Sequence, residues 1–464
     1  MYKKLVSNSL VFAIGNLGSK LITFLLVPLY TYYLTTSEYG TVDLIIVTAS
    51  LLMPIVTASV FEAILRFILD KDQDKKNILS NSVVICMGGI FLLILMFPVL
   101  NYFQVFGKNL VYLYLILIVQ IFEVIFSQYA RATNRIRIFA LNGILLALAN
   151  GTLNILLLIY LNLGISGYFF SIIIAHILSI LFLITTTQAL KDIDLKLLNK
   201  MTVKELLSFS IPMVPNSIMW WTINASSRYF IVFFIGTGAN GLFAISSKIP
   251  SLLNIINQIF IQAWQISAIE EYDNNNKTKF HTIVFSYLSS VMFVGSSIIF
   301  VTLKFLFSLL FADAYYDAWR AVPFLVLGTV FSTFSGFLGT NYVTSKKTSG
   351  VFKTSIYGGV VSIILNIILV PLWGIEGAGM SSLVSFFVMF LIRYFDTKQF
   401  VNIQIDWKKF ITNITIITIQ IVVLMLPIEN SFEILVQIVL FLIILISNKN
   451  LLTPFKMLIK SRKF

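Results

Sequence analysis

The chain has 464 residues, 58% of them hydrophobic and 11% charged, with a mean hydropathy of +0.92. Soluble domains carry about 25% charged residues, so this composition excludes a water-soluble globular class. The net charge of +13 would suggest nucleic acid in a soluble protein; here the basic residues fall in short breaks between apolar runs, and no nucleic-acid partner is expected.

Fourteen apolar stretches follow one another, each long enough to cross a bilayer as a helix. They run Ser9–Tyr33, Thr41–Leu65, Leu79–Leu100, Leu110–Ala130, Phe139–Leu161, Gly167–Gln188 and Leu206–Ile235. Then come Gly241–Ile266, His281–Leu310, Trp319–Val343, Thr354–Pro371, Gly377–Phe395, Phe410–Pro427 and Ser431–Ser447. The short alternating strands of a membrane barrel are not found in the pattern. The predicted fold is therefore an all-α polytopic membrane protein of about 14 transmembrane helices.

The breaks orient the chain. With the N-terminus inside, 27 of the 33 basic residues fall on the cytoplasmic side, from Lys3 and Lys4 to Lys460, Arg462 and Lys463. Only Lys108 and Arg320 fall outside. Such a bias predicts cytoplasmic termini and an even number of spans. Met1-Tyr2-Lys3-Lys4 opens an uncleaved first span, because the apolar run is too long for a signal peptide and lacks an Ala-x-Ala exit. Cys86 stands alone inside the third span, so no intrachain disulfide is expected. The sequons at Asn150, Asn224 and Asn413 lie in spans and Asn276 is cytoplasmic, so none should be glycosylated. The breaks are short, leaving no extramembrane domain. With two histidines, no metal-ligand cluster and no nucleotide or nucleophile motif, the chain is expected to be no enzyme and to need no cofactor. Passage of something through the membrane is the default function.

Four basic residues remain inside apolar runs: Lys20, Arg228, Lys248 and Lys304. Each costs roughly 2.5 to 3.5 kcal/mol at membrane depth unless compensated. Arg228 and Lys248 lie on consecutive antiparallel spans, each about seven residues from the outer end, roughly 10 Å deep. Lys20 sits near mid-membrane in the first span. Lys304, near the outer end of its span, is expected to snorkel.

The second half repeats the first. Leu153-Asn154-Ile155-Leu156-Leu157 with Gly164-Ile165-Ser166-Gly167 matches Leu365-Asn366-Ile367-Ile368-Leu369 with Gly374-Ile375-Glu376-Gly377. Glu38-Tyr39-Gly40 echoes Ala239-Asn240-Gly241, and Ser50-Leu51-Leu52 echoes Ser251-Leu252-Leu253. Six spans separate equivalent helices, so the halves share orientation. The reading is an N-terminal six-helix lobe (1–190), a cytoplasmic amphipathic linker (191–205), a second six-helix lobe (206–396), an additional helix pair (397–447) and a basic tail (448–464). The two pseudo-symmetric lobes would form a V around a central cavity.

Pro28-Leu29 and Glu38-Tyr39-Gly40 mark the first hairpin, and Arg66 ends the second span. Leu206-Leu207-Ser208-Phe209-Ser210-Ile211-Pro212 opens the seventh. Ser227-Arg228-Tyr229, Gly241-Leu242-Phe243 and Ser247-Lys248-Ile249 follow. In order and spacing these resemble the polysaccharide flippases of the multidrug/oligosaccharidyl-lipid/polysaccharide exporter superfamily, over nearly the whole chain. The resemblance implies translocation of undecaprenyl-diphosphate-linked oligosaccharide repeat units from the inner to the outer leaflet of a bacterial cytoplasmic membrane, for capsule, O-antigen or exopolysaccharide synthesis. Such members work beside glycosyltransferases and a polysaccharide polymerase. The family often places Asp before the seventh-span Arg; Ser227 stands there in this chain.

A lipid-linked sugar needs cations for its diphosphate and a wet path for its head, while its tail stays in lipid. Arg228, Lys248, Lys20 and Arg66 are the candidate substrate-binding residues, with Arg131 at the inner mouth. Each also has a structural reading. Lys20 could pair with Glu62 or Glu123; Arg131, Arg135 and Arg137 could serve topology alone. Glu62 and Glu123 either balance these cations or carry a coupling H+ or Na+. His176, Trp220 and Trp221 read best as packing residues. Pro212 and Pro215 should kink span seven. Two rival substrates remain at this point, a peptidoglycan precursor on the same lipid diphosphate and cationic drugs; the latter would call for an acidic cavity.

Overall fold

The computed structural model describes residues 17–69, 74–270, 277–345, 347 and 349–449. The start of the first expected span, Lys3, Lys4, Lys71, Asn276, Lys346 and the basic tail beyond Lys449 lie outside the described residues. All regular structure among the described residues is helical. Ten of these helices are long and apolar enough to cross a membrane, and the protein is a multi-pass membrane protein. It divides into two compact units, residues 1–221 and 222–464.

In the first unit, α1 (17–25) bends at Leu26 into α2 (Val27–Tyr33), with Pro28 in the first turn where a missing N–H costs nothing. The Glu38-Tyr39-Gly40 motif proves to be a helix start. Thr35 and Glu38 exchange backbone and side-chain hydrogen bonds in a capping box at the head of α3 (Thr36–Val56). The second span is not continuous. Ala58 (φ 47°) and Ser59 (φ 54°) interrupt it before α4 (Val60–Ile68). The interruption is packed by α5 (Lys75–Tyr102): a Cβ built on Gly89 would stand 1.8 Å from the Val56 carbonyl oxygen, so only glycine fits there. Helices α6 (Leu110–Ala132), α7 (Ile136–Asn154) and α8 (Gly164–Thr187) complete the bundle, α7 ending in a π-helical turn at Ile155–Tyr160.

Span seven is three pieces. α9 (Lys200–Ser210) and α10 (Met213–Ala225) part at Ile211–Pro212, as the prolines predict. A second break at Ser226 leads into α11 (Ser227–Phe234) of the second unit. Span eight is two pieces, α12 (Thr237–Ser246) and α13 (Lys248–Glu270), parted at Ser247. Then follow α14 (Lys277–Leu310), α15 (Val322–Thr344), α16 (Ser349–Thr397), α17 (Trp407–Met425) and α18 (Asn430–Ser447). α16 holds two expected spans. The chain reverses at Trp373–Gly374, and Ser381 Oγ donates back to the Ser362 carbonyl at 3.0 Å.

The internal repeat has a structural meaning. Gly164 (φ 53°) and Gly374 (φ 57°) both adopt a backbone that only glycine takes freely. Three residues on, Gly167 and Gly377 both face the preceding helix: a Cβ would meet the Leu157 carbonyl oxygen at 3.1 Å and the Leu369 one at 2.1 Å. Each Gly-x-x-Gly is thus a tight corner returning one helix onto its predecessor.

The linker residues 191–205 are not one continuous element. Short 3-10 turns at Ala189–Asp192 and Leu195–Leu197 precede α9. Polar side chains at the head of α5 hold them: Ser80 Oγ accepts from Asp194 N at 2.9 Å, Asn81 Oδ1 from Asn199 N at 3.1 Å, and Asn81 Nδ2 donates to the Leu197 carbonyl at 3.2 Å.

Asp192 fastens the same segment, accepting from the Tyr129 hydroxyl and lying 3.8 and 3.6 Å from Lys75 and Lys76. Burial pulls its carboxyl upward, but that hydroxyl and the two lysines outweigh it and leave the pKa below the ordinary value of 3.8. A lowered carboxylate stabilises the docked linker above its unfolded pKa and is lost as pH falls through the folded one. Asp192→Asn is expected to speed hydrogen exchange at the Asp194 and Asn199 amides at neutral pH. The wild-type protein should show the same only below pH 3.8.

Candidate functional site

Both breaks in the second unit deliver a cation. Ending α10 at Ser226 places Arg228 in the first turn of α11, and ending α12 at Ser247 places Lys248 at the start of α13. Backbone hydrogen bonds continue through both breaks, from Ser226 N to the Thr222 carbonyl at 3.3 Å and from Ser247 N to the Phe243 carbonyl at 3.0 Å, and a positive side chain follows each. The guanidinium of Arg228 spans the two breaks. Its Nη1 donates to the Asn224 carbonyl at 3.2 Å and its Nη2 to Ser247 Oγ at 3.4 Å. It also stacks over Phe243 at 5.6 Å and is 9% exposed. These contacts fix its fork although Ser227 supplies no carboxylate. Lys248 is half-buried, and no carboxylate lies within 4 Å of its ammonium among the described residues. Arg228 thus reaches Ser247, the residue that precedes Lys248 in the chain.

The other expected residues fall elsewhere. Lys20 lies half-buried on α1 of the first unit. Arg66 and Glu62 are exposed one turn apart on α4. Arg131 is exposed at the end of α6, 6.0 Å above the Phe139 ring. Glu123 belongs to a separate cluster within the first unit. Its carboxylate accepts from Asn142 Nδ2 of α7 at 2.7 Å, and Asn142 Oδ1 accepts from Ser179 Oγ of α8 at 2.7 Å. Asn142 and Ser179 are buried, so α6, α7 and α8 converge on a carboxyl within the membrane span. His176 is satisfied by the Ile172 carbonyl at 2.8 Å, and Trp221 donates to the Val47 carbonyl at 3.0 Å, as packing residues would.

Two expectations are corrected. Lys304 does not snorkel. Its Nζ pairs with Glu433 Oε2 of α18 at 2.6 Å and lies 4.5 Å over the Trp319 ring. A local carboxylate and an aromatic face compensate the charge better than a stretched chain. Arg393, counted among the topology signals, is 1% exposed. Its guanidinium ties three segments together, donating to Thr354 Oγ1 at 2.9 Å, the Ser335 carbonyl at 2.8 Å and Ser355 Oγ at 3.2 Å. Nothing in the local sequence distinguishes it from a surface arginine, because its acceptors come from 38 to 58 residues away.

The architecture is a multi-pass membrane bundle of partly interrupted helices. The chain belongs to the polysaccharide biosynthesis protein family, which matches it over residues 5–266. No curated protein matches it by sequence. Its fold is shared with a lipid II flippase, MurJ, in an inward closed conformation, at 16% identity and a TM-score of 0.69, covering 97% of this chain and 100% of that one. It is shared too with a multidrug resistance transporter of the MATE family and MOP superfamily, inward-facing, at 14% identity and a TM-score of 0.68, covering 83% and 94%. An outward-facing transporter of that family gives 16% identity and a TM-score of 0.59, covering 85% and 95%. The polysaccharide family expected from the sequence is thereby met, and the solved structures show the shared fold.

Lys304→Met alone strands the Glu433 carboxylate, 5% exposed, and is expected to lower stability by about 3 kcal/mol. Adding Glu433→Gln should restore most of the loss. Thermal unfolding of the two single variants and the double in detergent measures this; strictly additive losses would show the pair to be uncoupled.

Proposed function

We propose that this protein flips a polyprenyl-diphosphate-linked oligosaccharide repeat unit from the inner to the outer leaflet of a bacterial cytoplasmic membrane by alternating access. The single observation that carries this is that Arg228 and Lys248 follow consecutive helix interruptions, with Arg228 hydrogen-bonded to Ser247 at the second of them. A fork donor and a point charge suit the two phosphates of such a carrier. Lys20, Arg66 and Arg131 are assigned to earlier steps of the passage, from the inner mouth inward. Membership of the polysaccharide biosynthesis family favours an oligosaccharide cargo. The likeness to the lipid II flippase supports a second cargo, a peptidoglycan precursor on the same diphosphate. Cationic drugs are disfavoured by the cations themselves.

For coupling, we assign the Glu123–Asn142–Ser179 cluster to binding H+ or Na+, with exposed Glu62 as the lesser candidate. Asn142 and Ser179 can rearrange their hydrogen bonds as the carboxyl gains or loses its counter-ion. Polymerase and glycosyltransferases are the expected partners in the membrane.

Arg228→Ala and Lys248→Ala should each lower export by about 10- to 100-fold, the loss of one charge-assisted hydrogen bond or more, while inserting normally. Lipid-linked precursor should accumulate on the inner leaflet; normal export by both variants would refute the assignment.

Glu123→Gln should insert and bind precursor yet leave flipping in proteoliposomes insensitive to imposed proton and sodium gradients. An unchanged response to either gradient would remove Glu123 from coupling.

A further inference from the structure

A second polar site lies in the additional helix region, remote in sequence from Arg228 and Lys248. Asp406 caps the start of α17, and Lys409 follows three residues later. Both line a small, partly open cleft of about 110 Å³ against α14. Asp406 and Lys409 are oppositely charged and one turn apart, yet no carboxylate lies within 4 Å of Lys409 Nζ among the described residues. Each is turned to another partner. Asp406 Oδ1 accepts from the Lys409 amide at 3.1 Å, and Lys409 Nζ donates to Ser290 Oγ at 3.0 Å. That leaves the ammonium with further protons to donate and the carboxylate with an oxygen to accept.

A cleft whose cation and anion each keep hydrogen-bonding capacity to spare suits a ligand carrying both signs of charge. Thr282 Oγ1 accepts from the Gln404 amide at 3.1 Å, so its own proton points elsewhere, and Ser286 adds an exposed hydroxyl to the same wall. Phe285 and Phe410 give the cleft an apolar side. Trp407, 39% exposed, is the kind of side chain that sits at the headgroup level of a membrane. The break containing Gln404 to Lys409 is among those whose basic residues mark the cytoplasmic face.

We propose that this cleft binds the headgroup of a zwitterionic phospholipid of the phosphoethanolamine type, the phosphate on Lys409 with Thr282 and Ser286, the amine on Asp406. The site anchors the additional helix pair to inner-leaflet lipid.

The test uses the full-length protein in nanodiscs of equal phosphatidylethanolamine and phosphatidylglycerol, with bound lipids counted by native mass spectrometry. Wild type should retain phosphatidylethanolamine by about tenfold, the worth of one charge-assisted hydrogen bond. Asp406→Asn keeps the helix cap, so the fold persists, and should abolish the preference between the two lipids. Lys409→Gln can keep the Ser290 hydrogen bond and should lose both lipids. Equal retention of the two lipids by wild type, or unchanged retention in both variants, would overturn the proposal. Displacement of bound lipid by an equal concentration of free phosphoethanolamine would assign the cleft to a soluble ligand and overturn it equally.

Discussion

Hydrocarbon solvates neither a charge nor an unpaired peptide group, and that constraint governs this molecule. A helix broken within the bilayer leaves N–H and C=O groups that must find partners in protein or water. The chain nonetheless breaks its helices at Ala58–Ser59, Ile211–Pro212, Ser226 and Ser247, and in the second unit it places Arg228 and Lys248 immediately after two of these breaks. Carrying an interruption and a cation at the same place would be doubly unfavourable in lipid. It becomes favourable where the cation faces an anion.

Two other buried or half-buried charges show how the same constraint is met when no cargo is involved. Lys304 is answered by Glu433 and Trp319, and Arg393 by hydroxyls and a carbonyl of two other segments. These are closed solutions, with the charge consumed by the fold. Lys248 differs, since no carboxylate reaches its ammonium among the described residues. That contrast separates a brace from a binding group more sharply than depth in the membrane does.

Much of the fold was legible because its signals are local. Apolar length marked the spans, Pro212 marked a kink, and the repeated Gly-x-x-Gly marked corners that the positive φ of Gly164 and Gly374 now explains. What escaped depends on distant partners. The Ala58–Ser59 interruption requires Gly89 of another helix to approach the Val56 carbonyl, and neither residue announces it. The break at Ser226 has no proline or glycine to signal it. Lys304 and Glu433 lie 129 residues apart, and the linker is held by Ser80 and Asn81, more than 110 residues upstream. At the candidate site, residue types and depth picked out Arg228 and Lys248; the contact of Arg228 with Ser247 required the geometry.

The central claim is that the break at Ser247 is wet and receives a diphosphate. Cys86 is the single cysteine, so Cys86→Ser gives a background in which Ser247→Cys is the sole thiol. Labelling of that thiol in membranes by a small, membrane-impermeant thiol reagent tests the claim most directly. The account predicts modification that a polyprenyl diphosphate, but not the uncharged polyprenol, protects against. A thiol that resists the reagent in every condition, or reacts equally with and without the diphosphate, would contradict it.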